Sequence, residues 1–212
     1  MFRRELSWSQ ERSTGRRGSG LRLRLDKPAI RVLGIAESFD RSLDKSSVLA
    51  GVVMRGDFIV DGLAIAKCTV GGMDATESIV SLYRKLGRTD INAILLSGCV
   101  ISWYNVVDLA TVYEETGLPL VCITYEESDG IREYFVKNFP EDWQARVEVY
   151  ERNGGRNAVR LWTGYEVFVR CLGIDLETSR RLLNKFTLHG RVPEPVRLSK
   201  LIARQVMRFA LT

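Results

Sequence analysis

The sequence predicts an α/β fold with one mixed sheet, in which three antiparallel strands are followed by parallel strands and helices flank the sheet. Two observations predict it. The first is a series of three apolar strands joined by links shorter than the dozen or more residues that a parallel crossover needs. The second is an alternation of helix and strand after Asp74, which is typical of parallel strands.

The amino-terminal strands are apolar runs separated by turn residues. The first strand is predicted over residues 30–36, the second over 47–55 and the third over 58–70. Gly56 and Asp57 lie between the second and third strands, so these two strands are predicted to form a hairpin with a tight turn.

The spacing of apolar residues becomes helical in the next segment. Residues 74–86 are predicted as a helix that Gly87 ends, with Asp74 and Thr76 as candidate capping residues. The alternation continues with a strand over 92–96, a helix over 105–115, a strand over 118–124 and a helix over 129–138 with Asp129 as N-cap.

The carboxyl-terminal third has weaker patterns. Residues 147–150 and 158–162 predict short edge strands, and residues 165–173 fit either a strand or a helix. A further helix is predicted from residue 175 or 176 to 186, and a final basic helix begins near Pro193.

The final helix is amphipathic by its spacing. Its apolar residues are predicted to dock on the body of the protein, and they are Val196, Leu198, Leu201, Ile202, Val206 and Phe209. Its basic residues recur every three or four positions and are therefore predicted to share one exposed stripe: Arg197, Lys200, Arg204 and Arg208.

Three antiparallel strands followed by helix, strand, helix, strand and helix is the order of the ribonuclease-H-like fold. A doubly wound flavodoxin-type fold differs mainly in its opening strands and is the alternative. The hairpin over residues 47–70 favours the ribonuclease-H-like order.

Basic residues are concentrated at the two ends of the chain. The net charge is +5, yet residues 1–31 hold nine Lys and Arg against three acids, and the central body is acidic. Residues 1–20 show no periodicity and predict a basic flexible arm, which leaves 21–212 as a single domain ending in the basic helix. The basic ends predict DNA or RNA as a partner through phosphate contacts. A solvated, solubilising tail is the alternative.

Several classes of protein are excluded by the composition. No apolar run approaches the roughly 20 residues of a membrane helix, and the first 31 residues contain no apolar signal segment. Cys68, Cys99, Cys122 and Cys171 are widely spaced, and His189 stands alone, so a zinc site is not predicted. We expect structural thiols in a reducing cytoplasm, and the oligomeric state is left open.

Five separated blocks carry a family resemblance. They are K-P-A-I-R-V-L-G-I-A-E-S-F, G-V-V-M-R-G, G-G-M-D-A-T-E, L-L-S-G-C-V-I-S-W-Y-N-V-V-D-L and H-G-R-V-P-E-P-V-R-L. In this order, over about residues 27–207, they resemble the archaeal domain-of-unknown-function 99 family. That family is similar to endonuclease V, which cleaves nucleic acid beside deaminated bases using a divalent metal. The resemblance implies a single endonuclease-V-like domain with a ribonuclease-H-like fold.

The resemblance also implies three carboxylate positions for the metal. The first-strand Asp falls on Ala36 and the fourth-strand Asp falls on Ser97, so neither position has a carboxylate. The Glu after the third strand falls near Glu77, with Asp74 one helical turn before it. Glu37 follows Ala36 but points to the opposite face of a strand. We therefore expect no metal site and no Mg²⁺ cofactor, unless Glu37, Asp74 and Glu77 form a rearranged catalytic set.

Three functions remain open from the sequence. The first is a nuclease-like module that has lost its metal site and binds nucleic acid, the second an active Mg²⁺ nuclease with the rearranged set, and the third a small-molecule or protein-binding domain. Trp103 and Tyr104, in the loop after the fourth strand, are candidates for stacking on a base. Packing beneath the loop is the alternative for these two rings. The basic stripe of the final helix supplies the candidate phosphate contacts.

Overall fold

The structure, a computed structural model, describes residues 23, 25–27, 29–40, 45–127 and 130–210. The arm predicted over residues 1–20 and the N-cap predicted at Asp129 lie outside the described residues. No helix in the described ranges is long and apolar enough to cross a membrane.

Nine strands and six helices follow one another in the described part of the chain. The strands are β1 (Arg31–Ser38), β2 (Ser46–Arg55), β3 (Val60–Thr69), β4 (Ala93–Ser97), β5 (Val100–Ile101), β6 (Asn105–Val106), β7 (Leu120–Thr124), β8 (Asn157–Arg160) and β9 (Glu166–Leu172). The helices are α1 (Ala75–Leu86), α2 (Leu109–Thr116), α3 (Arg132–Asn138), α4 (Trp143–Arg152), α5 (Leu176–Phe186) and α6 (Glu194–Ala210).

Seven of these strands form one mixed sheet in the order β3-β2-β1-β4-β7-β9-β8. The first three are antiparallel, as predicted, while β1, β4 and β7 are parallel. Residues 165–173, whose sequence fitted either a strand or a helix, contain the strand β9, which is antiparallel to β7. The carboxyl ends of β1, β4 and β7 therefore share one edge with the turn between β8 and β9. We call this the carboxyl edge of the sheet.

Both faces of the sheet are buried. Leu33 and Ile35 point to one face and pack with α1 and α2, whereas Val32 and Ala36 point to the other and pack with α5 and α6. This follows from the two-residue period of a strand. It explains why the central strands are almost continuously apolar in sequence.

Helix α6 approaches β1 closely enough to touch its backbone. A Cβ atom at Gly34 would lie 2.4 Å from the Pro195 carbonyl carbon, so a residue with a side chain would displace the helix. The Ser199 hydroxyl donates a hydrogen bond to the Gly34 carbonyl oxygen at 2.7 Å. These contacts fix the first turns of α6 beside the carboxyl end of β1.

The helix predicted over 105–115 begins four residues later than expected. Asp108 is its N-cap and accepts hydrogen bonds from the amides of Ala110 and Thr111. Asn105 instead lies in β6, which pairs with β5 as a separate two-stranded hairpin. The side chain of Asn105 is committed to contacts with Asp74 and with the start of α1, which the local pattern could not reveal.

The edge strand predicted over 147–150 is wrong, because these residues lie in α4. The alternation in Val147-Glu148-Val149-Tyr150 resembles a strand only over four residues. Trp143, Val147 and Tyr150 follow a helical spacing and pack in one cluster with Phe135. Tertiary packing therefore outweighed the short local pattern.

The final helix docks as predicted, with two exceptions. Val196 is buried, and Leu198, Ile202 and Val206 are partly buried against the body. Leu201 is 42% exposed and Phe209 is 83% exposed, so these two predictions are wrong. Ala203 and Met207 are buried instead, because they lie on the face of the helix that packs directly against the sheet.

Candidate functional site

Two neighbouring strand ends define the centre of the carboxyl edge. Ile35 of β1 lies opposite Leu96 of β4 in the last pair of the parallel register. The next residues, Ala36 and Ser97, therefore lie side by side where the two strands stop pairing. Ala36 is 2% exposed and belongs to the core beneath α6. A methyl group and a hydroxyl therefore stand where the resemblance implies two carboxylates.

Glu37 lies next to this pair and faces a cation. Its Oε1 is 4.0 Å from the Lys200 ammonium nitrogen of α6, whereas its Oε2 is buried with no hydrogen-bond partner in the described chain. Burial raises the pKa of Glu37, and the charge of Lys200 and the backbone amide of Ser102 oppose that rise. The charged form of this carboxyl group is thus poorly solvated.

Asp74 has the opposite environment, since its carboxylate is surrounded by donors. It accepts hydrogen bonds from the Thr69 amide at 3.1 Å, the Thr69 hydroxyl at 2.7 Å, the Asn105 side-chain amide at 2.6 Å and the Cys68 thiol at 3.4 Å. Burial tends to raise the pKa of Asp74, but the hydrogen bonds from Thr69 and Asn105 outweigh it and lower the pKa. The donors therefore stabilise the ionised carboxylate.

The predicted helix caps are corrected by these contacts. Asp74 occupies the N-cap position of α1 but makes no side-chain cap, because its carboxylate points back to β3. The Asn105 side-chain oxygen accepts from the Ala75 amide at 3.0 Å and takes that role. Thr76 accepts from the Asp108 amide at 2.9 Å, so its hydroxyl joins the start of α2 to α1.

The donor set at this edge does not fit a divalent metal. Mg²⁺ takes six oxygen ligands in near-octahedral geometry, usually with one or two carboxylates. Both oxygens of Asp74 already accept protein hydrogen bonds, and the exposed Glu77 lies on the first turn of α1. Among the described residues, no three His, Cys, Asp or Glu side chains form a group that could hold a metal ion. Glu37, Asp74 and Glu77 are thus not brought together as one ligand group.

A strained hairpin covers the same edge. Ser102, Trp103 and Tyr104 between β5 and β6 have φ angles of 45°, 55° and 65°, a left-handed conformation that costs on the order of 1 kcal/mol or more per residue. The Ser102 hydroxyl lies 2.5 Å from the Ser47 hydroxyl, and its carbonyl accepts from the Gly71 amide at 2.7 Å. These contacts offset the strain.

Arg146 fixes the hairpin from the side of α4. Its guanidinium is buried, is paired with Asp142 at 2.8 Å, and donates to the carbonyl oxygens of Gly71, Gly72 and Tyr104. A buried guanidinium requires such a full set of acceptors. No sequence pattern identified Arg146, because its three backbone acceptors lie more than 40 residues away in the chain.

Trp103 and Tyr104 belong to this hairpin, and their side chains pack in an aromatic cluster beneath it. The Trp103 ring is 5.0 Å from Phe139, and the Tyr104 ring is 5.9 Å from Phe135 and 6.0 Å from Tyr134. Both rings are partly buried. Both rings therefore pack against other aromatic side chains, which is the alternative that the sequence left open. Stacking of these rings on a base stays a hypothesis.

The basic stripe of α6 is only partly free of protein contacts. Arg204 and Arg208 are exposed, and Lys200 is exposed at the end of the stripe nearest Glu37. Arg197 pairs with Glu194 at 2.6 Å, which matches the structural pair that their spacing of three residues allows. Three cations spaced four residues apart thus remain on one face of the helix.

A cleft of about 490 Å³ opens beside this centre, between the loops that follow β4 and β7. Its walls include Gly98, Cys99, Tyr125, Arg170 and Arg191. The Tyr125 hydroxyl is buried without a hydrogen-bond partner in the described chain, and burial raises its pKa, with Ser97 beside it opposing the rise. The sequence did not predict this cleft, because its walls come from segments far apart in the chain. The rule that ligands bind at the carboxyl ends of parallel strands is the one signal that indicates it.

Comparisons with known proteins identify relatives over nearly the whole described chain. The family described as Endonuclease dU matches residues 28–207. A UPF0215 protein of Pyrobaculum calidifontis is 37% identical over 177 residues, which covers 84% of this chain and 97% of that protein.

Solved structures show the same fold. A protein of unknown function from Archaeoglobus fulgidus has a TM-score of 0.71 and 28% identity, covering 84% of this chain and 98% of that one. Endonuclease V of Ciona intestinalis, in complex with DNA containing an inosine, has a TM-score of 0.58 and 11% identity, covering 86% of this chain and 87% of that one. The prediction of a ribonuclease-H-like mixed sheet related to endonuclease V is confirmed.

Proposed function

This chain belongs to the endonuclease dU family, and we propose that it binds nucleic acid without the metal-dependent cleavage chemistry of endonuclease V. The observation that carries the proposal is that Ala36 and Ser97 directly follow Ile35 and Leu96, the last residues that pair β1 with β4. In the endonuclease V pattern both positions are Asp, and the side chains found here supply no carboxylate to a metal.

The chemistry of phosphodiester hydrolysis explains why this loss matters. A divalent ion must activate water and neutralise the charge that develops on the phosphate, and converging carboxylates hold that ion. Here Glu37 faces the ammonium group of Lys200, and Asp74 is bonded to Thr69 and Asn105. The remaining acids therefore serve protein contacts.

The charge of α6 supports retained binding. Lys200, Arg204 and Arg208 form an exposed row that begins at the carboxyl edge, next to Glu37. The Ciona endonuclease V complex demonstrates that this fold can hold DNA in that protein. We infer DNA or RNA as the partner, and a cytoplasmic location is proposed from the four free cysteines.

The cleavage half of the proposal is tested with a labelled oligonucleotide that contains deoxyuridine or deoxyinosine. We expect no cleavage by the full-length protein in Mg²⁺ or Mn²⁺. Calorimetry with Mn²⁺ should show no binding tighter than about millimolar, the affinity expected without converging carboxylates. Cleavage that Glu37→Gln or Glu77→Gln abolishes would overturn the proposal and establish the rearranged carboxylate set.

The binding half is tested by titrating the protein with single-stranded and duplex oligonucleotides at two salt concentrations. Replacing Arg204 and Arg208 by Ala should weaken binding and reduce the slope of log K against log salt by up to about 0.7–0.9 per lost phosphate contact. Arg84→Ala with Lys85→Ala is the matched control, since both are exposed at the last turn of α1, on the opposite face of the sheet. No measurable binding at low salt, or equal losses in both double variants, would contradict the role of α6.

A further inference from the structure

Two cysteines meet at the floor of the cleft beside β4 and β7. Cys122 of β7 lies opposite Leu96 of β4 in the parallel register. Gly98 has a φ angle of 85°, and its amide donates to the Ile123 carbonyl oxygen at 2.9 Å. The chain after β4 therefore turns over β7, and Cys99 packs in the same cluster as Cys122, whose cross-strand neighbour is Arg170.

A buried arginine holds a positive charge against the first of these thiols. The Arg170 Nη1 atom lies 3.4 Å from the Cys99 sulfur, and its Nε donates to the Gly154 carbonyl oxygen at 2.8 Å. Arg170 is 5% exposed and pairs with no carboxylate among the described residues. A desolvated guanidinium beside a thiol favours the thiolate.

The two thiols differ in acidity and in their position relative to the cleft. Both are buried, at 3% exposure for Cys99 and 1% for Cys122, but Cys99 is the one that lines the cleft. The neighbouring Cys122 thiol and then Arg170 lower the pKa of Cys99 against the effect of burial. The Cys99 thiol and burial raise the pKa of Cys122 well above its usual value. Because the Arg170 guanidinium lies against the Cys99 sulfur, the thiolate is favoured at Cys99 rather than at Cys122.

Other charged groups around the cleft do not reverse this difference. The titratable groups that line it are Tyr125, Glu126, Glu127, Tyr150, Arg156, Arg170 and Arg191. Of these, Arg170 and Arg156 are the ones that act on Cys99, and both favour the thiolate. Glu126 is 84% exposed and pairs with Arg191 at 3.5 Å.

We propose that Cys99 and Cys122 form a redox-active thiol pair, with Cys99 as the nucleophile and Cys122 as the resolving thiol. The oxidant is a hydroperoxide that enters through the cleft. The Cys99 thiolate attacks one peroxide oxygen, the O–O bond breaks, and Cys99 becomes a sulfenic acid while the leaving alkoxide or hydroxide takes a proton from water. The Cys122 sulfur then attacks the Cys99 sulfur, its proton leaves with the hydroxyl group as water, and a disulfide forms.

The test uses the reduced full-length protein, with Cys68 and Cys171 as internal controls. An equimolar amount of hydrogen peroxide is added, free thiols are blocked with N-ethylmaleimide, and unreduced peptides are mapped by mass spectrometry. We expect Cys99 linked to Cys122, with Cys68 and Cys171 still blocked as thiols. Burial raises the pKa of both control thiols, that of Cys68 to about 12. Both should therefore react at about one tenth of the rate of Cys99 or more slowly still.

Two variants separate the roles of the pair. In Cys122→Ser the Cys99 sulfenic acid should persist and be trapped by dimedone, whereas in the matched variant Cys171→Ser the disulfide should form as in the parent. Arg170→Lys keeps the charge and should oxidise faster than Arg170→Met by about tenfold, with circular dichroism verifying the fold. Cys99 left as a thiol in the parent protein, or oxidation of Cys68 or Cys171 at an equal rate, would overturn the proposal.

Discussion

Glu37 and Asp74 lie near the same edge of the sheet, yet their surroundings differ in every respect that decides the state of a carboxyl group. Asp74 accepts hydrogen bonds on both oxygens, and its pKa is lowered despite burial. Glu37 has one buried oxygen without a partner, and burial raises its pKa even with Lys200 beside it. Asp74 contacts the β5–β6 hairpin through Asn105, and the backbone amide of Ser102 in the same hairpin partly opposes the rise in the pKa of Glu37.

The difference teaches that two acids near the positions where the resemblance implies a metal are both held by contacts within the protein, but of opposite kinds. Asp74 joins β3, α1 and the hairpin, so its carboxylate oxygens already accept hydrogen bonds from donors of the protein. Glu37 faces a cation that belongs to the protein. Three changes to this edge would sharpen or break the contrast.

The largest effect is expected for Asp74→Ala. It removes the side-chain acceptor of the Thr69 hydroxyl and of the Thr69 amide and one of the acceptors of the Asn105 amide, so we expect a loss of about 3 kcal/mol in the free energy of unfolding, from about 1–3 kcal/mol per unsatisfied group. Because the folded pKa of Asp74 is lowered, its contribution is present at neutral pH and is lost as the pH falls through that pKa. Urea denaturation at pH 7 and pH 3 measures both.

Glu77→Ala is the matched control for that variant. Glu77 lies in the first turn of the same helix but is exposed, so the change should stay within about 0.5 kcal/mol. An equal loss in the two variants would mean that helix electrostatics, rather than the Asp74 hydrogen bonds, stabilises this region.

The second change introduces two carboxylates by Ala36→Asp together with Ser97→Asp. The two side chains would stand at adjacent strand ends, so Mn²⁺ affinity should rise by about a hundredfold over the parent protein, equal to about 2.7 kcal/mol. Without metal the buried Asp at position 36 should lower Tm, and Mn²⁺ should recover it. Calorimetry and thermal unfolding with and without Mn²⁺ give both values.

Ser97→Asp alone controls for added surface charge, and it should bind Mn²⁺ more weakly than the double variant. If the double variant binds no more tightly than the parent, Ala36 and Ser97 are not the positions of the lost ligands. The assignment of the centre of the site would then be wrong.

The smallest effect is expected for Glu37→Gln. The folded pKa of Glu37 is raised above its unfolded value, so the ionised form opposes folding once the pH rises through the folded pKa, and this penalty is absent below the unfolded pKa. The variant should therefore raise Tm at pH 8 by about 2–4 °C, the shift that about 1 kcal/mol produces in a domain of this length. Near pH 4 the two proteins should melt together.

Glu148→Gln, on an exposed position of α4, should show no such dependence on pH. A lower Tm for Glu37→Gln at pH 8 would mean that attraction to Lys200 outweighs the burial of the carboxylate. The contrast between Glu37 and Asp74 would then disappear, since both acids would stabilise the fold in their ionised form.

The sequence predicted the strands and helices wherever the pattern was long. Residues 74–86 and 175–186 matched α1 and α5 closely, because a helical spacing over three turns is distinctive. Residues 147–150 were too few to distinguish a strand from the face of α4 that carries Val147 and Tyr150. Asn105 was misplaced in a helix because its partner, the carboxylate of Asp74, is 31 residues away.

Within the site, the chain by itself determined that Ala36 and Ser97 supply no carboxylate, whatever the fold. Only the tertiary structure decided what the other acids do. The donors around Asp74 and the cation beside Glu37 come from strands and helices remote in sequence, as do the walls of the cleft that holds Cys99. Residue type sets which interactions a side chain can make, whereas burial and neighbours set which of them it makes.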